Sequence, residues 1–529
     1  MENRGRILVL SGDADMREMV SNAVIGDKYE IAFAESSASA TANLRQSFYH
    51  LAIIDLDSLG RENVPLITEL VAKEFADSVF LILIGAELSK EEIRRAFTQP
   101  QVADVIPRGE INPQKLSGSI KDIFARRVQT NFDLDIAFED QISRDDLVLG
   151  MKLRGDRLGK EHALFARVRQ EVEDLLQKLF YSAVKIVIKG IPEKSSGYSG
   201  TKVFKVHPFY SNKHGNSVIV KYGEYEKIHT EYERYKQFVE GFIGENRSTS
   251  ISSERRTPLL GGIAYSLIGT EIEKTESFSE FYRRHSAEEI AKVLDDLFEN
   301  TCGNWYADRS VTRYLRLSQE YGKSYGISPN ELEGVLRYTL PTYSGKSSIQ
   351  FTEFPNREFV NPLHAISGRD LSAAAHSCAT HGDFNGNNIL VDNSHRTWLI
   401  DFAHTGESHI LRDCIELERV VKFVLLDNGS LLDRRSFEEV LLSADSFSTF
   451  MAAKYDPPSD EFEKAFFTVT SIRQHARSLV YPSDNLTEYY IGLLFASLGT
   501  LRFSDIPKVN RRHALLSAAL LCERLRLRV

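Results

Sequence analysis

The sequence has few cysteines, no long hydrophobic run and no excess of basic residues, and each absence excludes a class of protein. Four cysteines in 529 residues, none of them in a Cys-x-x-Cys pair, exclude a disulfide-rich secreted scaffold and predict a cytoplasmic location. No apolar stretch reaches the roughly 18 residues that a membrane-spanning helix needs, and the first apolar run is too short for a signal peptide. A net charge of −9 gives no global basic surface, so we expect neither nucleic acid nor membranes as partners.

The first 126 residues alternate short apolar runs with amphipathic segments. Five apolar runs predict buried strands: RILVLSG, YEIAFAE, HLAIIDLD, SVFLILIG and ADVIPRG. The segments between and after them have helical periodicity: ADMREMVSNAVI, SASATANLRQSF, VPLITELVAKEF, KEEIRRAFTQ and PQKLSGSIKDIFARR. This alternation is typical of a parallel sheet with helices on both faces, so we predict an α/β, flavodoxin-like domain.

This domain resembles the receiver domain of two-component response regulators. Such a domain needs an acidic pair for Mg²⁺, an acceptor aspartate, a hydroxyl group and a lysine at its strand ends. Asp55, which ends HLAIID, matches the phosphate acceptor. The acidic-pair, hydroxyl and lysine positions hold other residues: Ser11 and Gly12, then Gly85, then Pro107 followed by Arg108. The resemblance therefore implies the fold of a receiver without its complete chemistry.

Loss of the acidic pair leaves the charge on a transferring phosphoryl group uncompensated. We therefore interpret the domain as a pseudo-receiver that binds a protein partner or self-associates. Asp13 and Asp57 leave a weak metal site open, and phosphorylation of Asp55 as a switch on the rest of the chain is the alternative.

A second motif lies far downstream, in HGDFNGNNIL and WLIDFAH. Asp383 and Asn388 are five residues apart, between a predicted helix and a short apolar strand, and Asp401 follows another strand. A carboxylate such as Asp383 can accept the proton of an attacking hydroxyl. The amide oxygen of Asn388 and the carboxylate of Asp401 are hard ligands suited to Mg²⁺ on nucleotide phosphates. Their order is that of the catalytic and metal loops of protein-kinase-like folds.

Upstream residues complete a predicted nucleotide site. Lys221, on the strand NSVIVKYG, is placed to bind the α- and β-phosphates of a nucleotide. The helix KIHTEYERYKQFV carries Glu231, our choice for the salt-bridge partner of Lys221, with Glu233 as the alternative.

Two backbone regions are predicted to contact the nucleotide. The first is the turn in GYSGTKVFKV, suited to phosphate contacts unless it is a plain hairpin turn: Gly197, Ser199, Gly200 and Thr201. The second follows the strand LGGIAYSLIG, where backbone groups would contact a purine: Ile268, Gly269 and Glu271. Since these contacts use backbone groups, ATP and GTP both remain open.

HGD, and DFA at the metal loop, resemble the aminoglycoside and choline kinase branch of this fold. Together with GYSG, LGGIAYSLIG and HILRDCIELE, they also resemble the ternary complex associated, phosphotransferase-like domains of bacterial conflict and signalling systems, over roughly residues 180–525. The resemblance implies a role in signalling or defence and a structural role for His381. Arg412 and Asp413 are expected to hold the loop.

We therefore predict an α/β receiver-like domain followed by an α+β, two-lobed, protein-kinase-like domain with a helical C-lobe. The expected limits are 1–127 for the receiver-like domain, 128–160 for a connector, 161–275 for the N-lobe and 276–529 for the C-lobe. The predicted function is Mg²⁺- and ATP- or GTP-dependent phosphoryl transfer to an unknown hydroxyl, on a small molecule or a protein. The alternative is a catalytically silent scaffold, a pseudokinase joined to a pseudo-receiver.

Overall fold

The computed structural model describes residues 5–25, 29–59, 78–86, 90–139, 142–190, 200–211, 213–241, 248–480 and 482–527. The chain forms two compact units, Met1–Tyr232 with Ser250–Ser266, and Glu233–Thr249 with Leu267–Val529. The first unit contains both the receiver-like residues and most of the predicted N-lobe. The domain limits drawn from the sequence therefore stay predictions. No helix among the described residues is both long and apolar enough to cross a membrane.

The receiver-like part is a parallel five-stranded sheet in the order β2-β1-β3-β4-β5. Its strands are β1 Gly5–Leu10, β2 Tyr29–Ala34, β3 Leu51–Asp55, β4 Phe80–Gly85 and β5 Val102–Pro107. Its described helices are α1 Ala14–Ala23, α2 Ser37–Gln46, α3 Leu56–Leu59, α4 Lys90–Phe97 and α5 Pro113–Ile123. The predicted helix VPLITELVAKEF lies outside the described residues. This strand order confirms the flavodoxin-like prediction.

Both faces of this sheet are covered, as the apolar runs predict. Along β1, Ile7 and Val9 pack into one apolar cluster, while Leu8 and Leu10 pack into another. Successive side chains of a strand point to opposite faces, so a strand buried on both sides must be apolar throughout.

The second sheet has seven strands, in the order β13-β14-β12-β10-β9-β6 with β11 paired to β10. Its strands, and the hairpin β7–β8 beside it, are β6 Asp135–Phe138, β7 Lys152–Leu153, β8 Asp156–Arg157, β9 Lys185–Lys189, β10 Lys202–Tyr210, β11 Lys213–His214, β12 Val218–Glu224, β13 Ser248–Arg256 and β14 Leu260–Ile268. Two helices accompany it, α6 Phe165–Leu179 and α7 Tyr225–Phe238.

Residues 128–160, which the sequence predicts to be a connector, contain regular secondary structure. Strand β6 pairs in parallel with β9, and β7 and β8 form a hairpin. Val148 and Met151 are fully buried in the same apolar cluster as the sheet. The sequence hides β6 because it is an edge strand that begins with the exposed Asp135 and buries none of its residues fully, so its alternation is weak.

The second unit is mainly helical, which confirms the predicted helical C-lobe. Its helices are α8 Phe278–Arg284, α9 Ala287–Asp295, α10 Gly303–Ala307, α11 Leu317–Ser324, α12 Pro329–Thr339, α13 Pro362–Ile366, α14 Arg412–Val420, α15 Leu431–Leu441, α16 Phe447–Met451, α17 Asp460–Val480, α18 Thr487–Thr500 and α19 Lys508–Arg524. Its strands are β15 Thr275–Ser277, β16 Ser310–Leu315, β17 Ser348–Ile349, β18 Phe359–Val360, β19 Ala373–Thr380, β20 Ile389–Asp392, β21 Thr397–Leu399 and β22 Gly406–His409.

One sheet of this unit, in the order β16-β19-β22, is absent from the sequence predictions. Strand β19, and not the predicted helix, leads into the HGD motif. Its sequence AAAHSCAT contains few good strand formers. Pairing with β16 on one side and β22 on the other determines its conformation instead.

Candidate functional site

The loop between β19 and β20 brings Asp383 and Asn388 into contact. The Nδ2 group of Asn388 donates to Oδ2 of Asp383 at 3.1 Å and to the carbonyl oxygen of Asp383 at 3.0 Å. Asn388 is only 8% exposed, so its rotamer is fixed by the surrounding protein. Since its nitrogen is already used, its amide oxygen is the atom that can bind a cation.

Asp401 follows strand β21, in a left-handed backbone conformation with φ 67° and ψ 74°. Aspartate reaches this region more readily than most residues. The next residue, Phe402, is fully buried, with its ring 5.5 Å from that of His381 and 5.7 Å from that of Tyr235. Arg234 donates to the carbonyl oxygen of Ala403. The loop that contains Asp401 is therefore held by the packing of Phe402 and by the hydrogen bond from Arg234 to Ala403.

The region around Asp383 is electrically negative. Burial, followed by the negative charges of Glu416 and Asp401, raises the pKa of Asp383 to about 6. His404 and Arg419 oppose this rise in the pKa of Asp383 without cancelling it. A divalent cation near these oxygens would relieve the repulsion between the carboxylates. The donor set of one amide oxygen and carboxylate oxygens fits Mg²⁺.

His381 and Asp413 fix the backbone of the catalytic loop. The carboxylate of Asp413 accepts the backbone N–H of His381 at 3.0 Å and that of Gly382 at 2.9 Å. The imidazole Nε2 of His381 donates to the carbonyl oxygen of Ile400 at 3.1 Å, which ties the catalytic loop to the metal loop. Burial lowers the pKa of His381, which favours the neutral form of its ring.

Gly382, next to Asp383, leaves space for the side chain of Arg412. Gly382 has φ +77°, and a Cβ there would lie 2.5 Å from the carbonyl oxygen of His404 and 3.0 Å from Cζ of Arg412. Nη2 of Arg412 donates to the carbonyl oxygen of Gly382 at 3.0 Å. Arg412 and Asp413 thus both hold the loop, as the sequence predicts.

In the first unit, Lys221 and Glu231 form a buried ion pair. Nζ of Lys221 lies 2.7 Å from Oε2 of Glu231, and the two residues are 3% and 1% exposed. The hydroxyl of Tyr265 donates to the other carboxylate oxygen of Glu231. Glu233, the alternative partner, is exposed. The structure therefore places Glu231, and not Glu233, beside Lys221.

The predicted phosphate-binding turn is described only at its end. Gly197 and Ser199 lie outside the described residues, whereas Gly200 has φ +72° and Thr201 is buried. The carbonyl oxygen of Gly200 accepts the backbone N–H of Lys152, from the β7–β8 hairpin, at 2.9 Å. That hairpin neighbour is not predicted from the sequence, because its strands have only two residues each.

The predicted purine-binding segment follows β14. The carbonyl oxygen of Ile268 accepts Nε1 of Trp398 at 2.9 Å, and Gly269 has φ +91°. The carboxylate of Glu271 lies 3.1 Å from Nζ of Lys274. Contacts between this segment and a purine stay a prediction.

The acidic site of the receiver-like part contains an arginine among its carboxylates. Nη1 of Arg108 lies 3.1 Å from Asp55 and 3.4 Å from Asp57, and Nη2 contacts Asp13. The hydroxyl of Ser11 donates to the other oxygen of Asp55 at 2.7 Å. Burial opposes the charge on Arg108, but these carboxylates outweigh it and raise the pKa of Arg108. The guanidinium occupies the space between the groups that would have to bind a metal.

The family model described as ternary complex associated domain 9 matches residues 193–333 and 330–502. No curated protein sequence matches the chain.

Solved structures similar to the chain include two kinds of phosphotransferase and a response regulator. A response regulator from Thermotoga maritima has 19% identity and a TM-score of 0.21, covering 23% of this chain and 98% of its own. An aminoglycoside-3′-phosphotransferase of type VIII has 14% identity and a TM-score of 0.32, covering 60% of this chain and 94% of its own. Choline kinase LicA from Streptococcus pneumoniae has 12% identity and a TM-score of 0.22, covering 56% and 90%.

Proposed function

The chain belongs to the ternary complex associated domain 9 family, and we propose that it transfers a phosphoryl group from a Mg²⁺-bound nucleoside triphosphate to a hydroxyl group. The observation that carries this proposal is the contact between Asn388 and Asp383 in a loop that also fixes Asp401 through His381. This arrangement has a base, an amide oxygen and a second carboxylate in the order that phosphoryl transfer requires.

Each residue has a distinct task in the proposed reaction. Asp383 orients the attacking hydroxyl and accepts its proton. Its raised pKa, about 6, leaves it ionised at neutral pH yet basic enough to take that proton. Asn388 holds the carboxylate of Asp383 by the hydrogen bond from Nδ2. Lys221, positioned by Glu231, binds the nucleotide phosphates.

Asn388 and Asp401 are the residues that would hold the metal ion. When bound, Mg²⁺ neutralises charge on the nucleotide phosphates. We further propose that ATP or GTP binds with its phosphates near Gly200 and Thr201 and its base near Ile268, Gly269 and Glu271.

The receiver-like part is proposed to serve as a regulatory and docking domain in bacterial signalling or defence. Arg108 among Asp13, Asp55 and Asp57 favours docking over aspartyl phosphorylation, because a metal ion and the guanidinium would compete for the same oxygens.

Nucleotide binding and hydrolysis by the full-length protein test the proposal. We expect Mg²⁺-dependent binding of ATP or GTP by calorimetry, together with slow hydrolysis in which water replaces the acceptor. Asp383→Asn should reduce hydrolysis by about 10²- to 10⁴-fold, the usual contribution of a general base, while nucleotide binding persists.

Glu407→Gln is the matched control, because Glu407 is an exposed acid on β22, close in sequence to the metal loop. Its hydrolysis rate should equal that of the wild type. Absence of Mg²⁺-dependent nucleotide binding by the wild type would contradict the proposal and favour a catalytically silent scaffold.

A further inference from the structure

Helix α6 lies between the receiver-like part and the turn that precedes β14, all within the first unit. We propose that α6 couples the receiver-like part to helix α7 and thereby controls the ion pair between Lys221 and Glu231. The inference rests on the proposed function, since Lys221 is there assigned to the nucleotide phosphates. The proposed coupling gives a chain of contacts that leads from the receiver-like part to Lys221 and Glu231.

Four charged residues of α6 are buried along one side of the helix. They are separated by four, three and four residues, which is the spacing of neighbours on one helical face. Their exposed fractions are 5% for Arg167, 0% for Glu171, 3% for Asp174 and 7% for Lys178. Buried charges are unfavourable unless each has partners, so the partners of these four residues determine how the helix can sit.

On one side, the partners belong to the receiver-like part. Nε2 of His50, which precedes β3, lies 2.7 Å from Oδ1 of Asp174. The backbone N–H of Arg6 in β1 donates to Nδ1 of His50 at 3.1 Å, so the ring must donate through Nε2 to Asp174. Nη1 of Arg167 donates to the carbonyl oxygen of Leu44 in α2 at 3.3 Å.

On the other side, the partners belong to the end of β13 and to the turn between β13 and β14. The second carboxylate oxygen of Glu171 accepts the hydroxyl of Thr257 at 2.7 Å and the backbone N–H of Leu259 at 2.8 Å. Nζ of Lys178 donates to the carbonyl oxygen of Arg256 at 3.1 Å. Ion pairs within the helix, Arg167–Glu171 and Asp174–Lys178, join the two sides at 2.9 Å each.

The same turn contacts the start of α7. The backbone N–H of Tyr225, the first residue of α7, donates to the carbonyl oxygen of Leu259 at 3.2 Å. The guanidinium of Arg256 lies 3.8 Å from the ring centroid of Tyr225. Glu231 is six residues further along this helix, less than two turns away. A displacement of the turn therefore reaches the carboxylate that positions Lys221.

Close packing makes this part of α7 sensitive to small movements. A Cβ at Gly261 in β14 would lie 3.0 Å from Cβ of Ile228 in α7, so helix and strand are already as near as glycine allows. Helix α6 is attached to its own sheet by apolar residues on another face, which include Val168, Val172 and Leu175. The charged face is thus not needed for the attachment of α6. Because it has partners on two sides, it can pass a shift of the receiver-like part to the turn between β13 and β14.

Hydrogen–deuterium exchange on the full-length protein tests the route. His50→Ala removes the partner of Asp174 in the receiver-like part and substitutes no residue of α6 or α7. We expect faster amide exchange within 225–238 and 257–261, and Mg²⁺-nucleotide affinity reduced by at least about 5-fold, the lower end of ordinary coupling. Glu18→Gln, an exposed substitution on α1 of the same domain, should change neither quantity.

A second variant changes the side of α6 that contacts the turn between β13 and β14. Coupling between two sites acts in both directions, so Glu171→Gln, which weakens the contact with Thr257, should also speed exchange around residues 48–52. If His50→Ala destroys the fold, Glu171→Gln carries the test.

Changes confined to the receiver-like part and α6, with exchange in 225–238 unaltered, would overturn the coupling. The two proposals fail separately. A wild type without Mg²⁺-nucleotide binding contradicts the phosphotransferase, whereas the exchange pattern still decides the coupling.

Discussion

Two sites in this chain have carboxylates at the ends of strands, and they are neutralised in different ways. In the receiver-like part, one guanidinium contacts all three acids, so Arg108 supplies from within the protein the charge that a metal would bring. In the catalytic loop, Asp383 is adjacent to an amide, and nearby Glu416 and Asp401 raise its pKa. In the first arrangement the carboxylate charges are compensated by an arginine of the protein itself, whereas the second arrangement favours a divalent cation.

The difference teaches that the presence of acidic residues does not by itself identify a metal site. Asp13, Asp55 and Asp57 could form a cation site if judged by side-chain type alone. Arg108 lies among these three carboxylates, so a cation could bind there only by displacing the guanidinium.

Removal of one acid from each site gives the largest expected contrast. Asp401→Asn should weaken Mg²⁺-dependent nucleotide binding by at least about 10- to 100-fold, a loss that even an outer-sphere substitution can cause. Asp55→Asn should leave it unchanged. Calorimetric titration of nucleotide with and without Mg²⁺ measures both. Equal losses in the two variants would break the distinction between the sites.

Removal of Arg108 should allow the receiver-like site to bind a cation. We expect Arg108→Gln to lower the free energy of unfolding by about 1–3 kcal/mol, because three carboxylates lose their common donor. We also expect Mg²⁺ or Mn²⁺ to raise the melting temperature of this variant and not that of the wild type. Lys115→Gln is the matched control, since Lys115 forms an exposed pair with Glu110 in the same domain. A variant insensitive to cations would contradict the role given to Arg108.

The wild-type receiver-like site should resist phosphoryl donors. Acetyl phosphate with Mg²⁺ should yield no phosphorylated species by intact-mass spectrometry, because Arg108 and Ser11 already occupy both carboxylate oxygens of Asp55. An adduct that disappears in Asp55→Asn would show that the site is a working acceptor.

The smallest effect concerns pH and His50. Burial lowers the pKa of His50, with Asp174 opposing the shift and Lys178 and Arg6 adding to it. The unfolded chain, with an ordinary histidine pKa near 6.5, therefore binds a proton before the folded chain does. Stability should therefore fall as the pH decreases below 6.5, because the unfolded chain then binds a proton that the folded chain excludes. Thermal unfolding at pH 7.5 and 5.5 measures the loss.

Two histidine variants provide the comparison for this measurement. His50→Gln should reduce the dependence on pH, whereas His364→Gln, at an exposed position, should keep it. An unchanged slope in His50→Gln would show that other groups are responsible.

The sequence predicts the elements whose patterning is local. The five strands of the receiver-like sheet are continuous apolar runs, and the motif around Asp383 and Asn388 has a fixed spacing, so both can be identified without the structure. The partner of Lys221 also follows from helical periodicity, which favours Glu231 over Glu233.

What the sequence does not predict depends on contacts between distant segments. Arg108 is visible next to Pro107, but nothing local shows that its side chain turns towards Asp13, 95 residues away. Glu171 and Asp174 read as solvent-facing residues of an amphipathic helix, because charged side chains are rarely buried. Their burial depends on contacts with the receiver-like part on one side and with the β13–β14 turn on the other.

Gly382 and Arg412 carry one more consequence, for transplanting this loop. The guanidinium that donates to the carbonyl oxygen of Gly382 comes from helix α14, thirty residues later in the chain. The ten residues HGDFNGNNIL are therefore not a self-sufficient module. A chimera that receives these ten residues without the first turn of α14 would contain Asp383 and Asn388. It would lack the hydrogen bond that Arg412 donates to Gly382. We therefore expect the loop to keep its conformation in another protein only when the first turn of α14 is transferred with it.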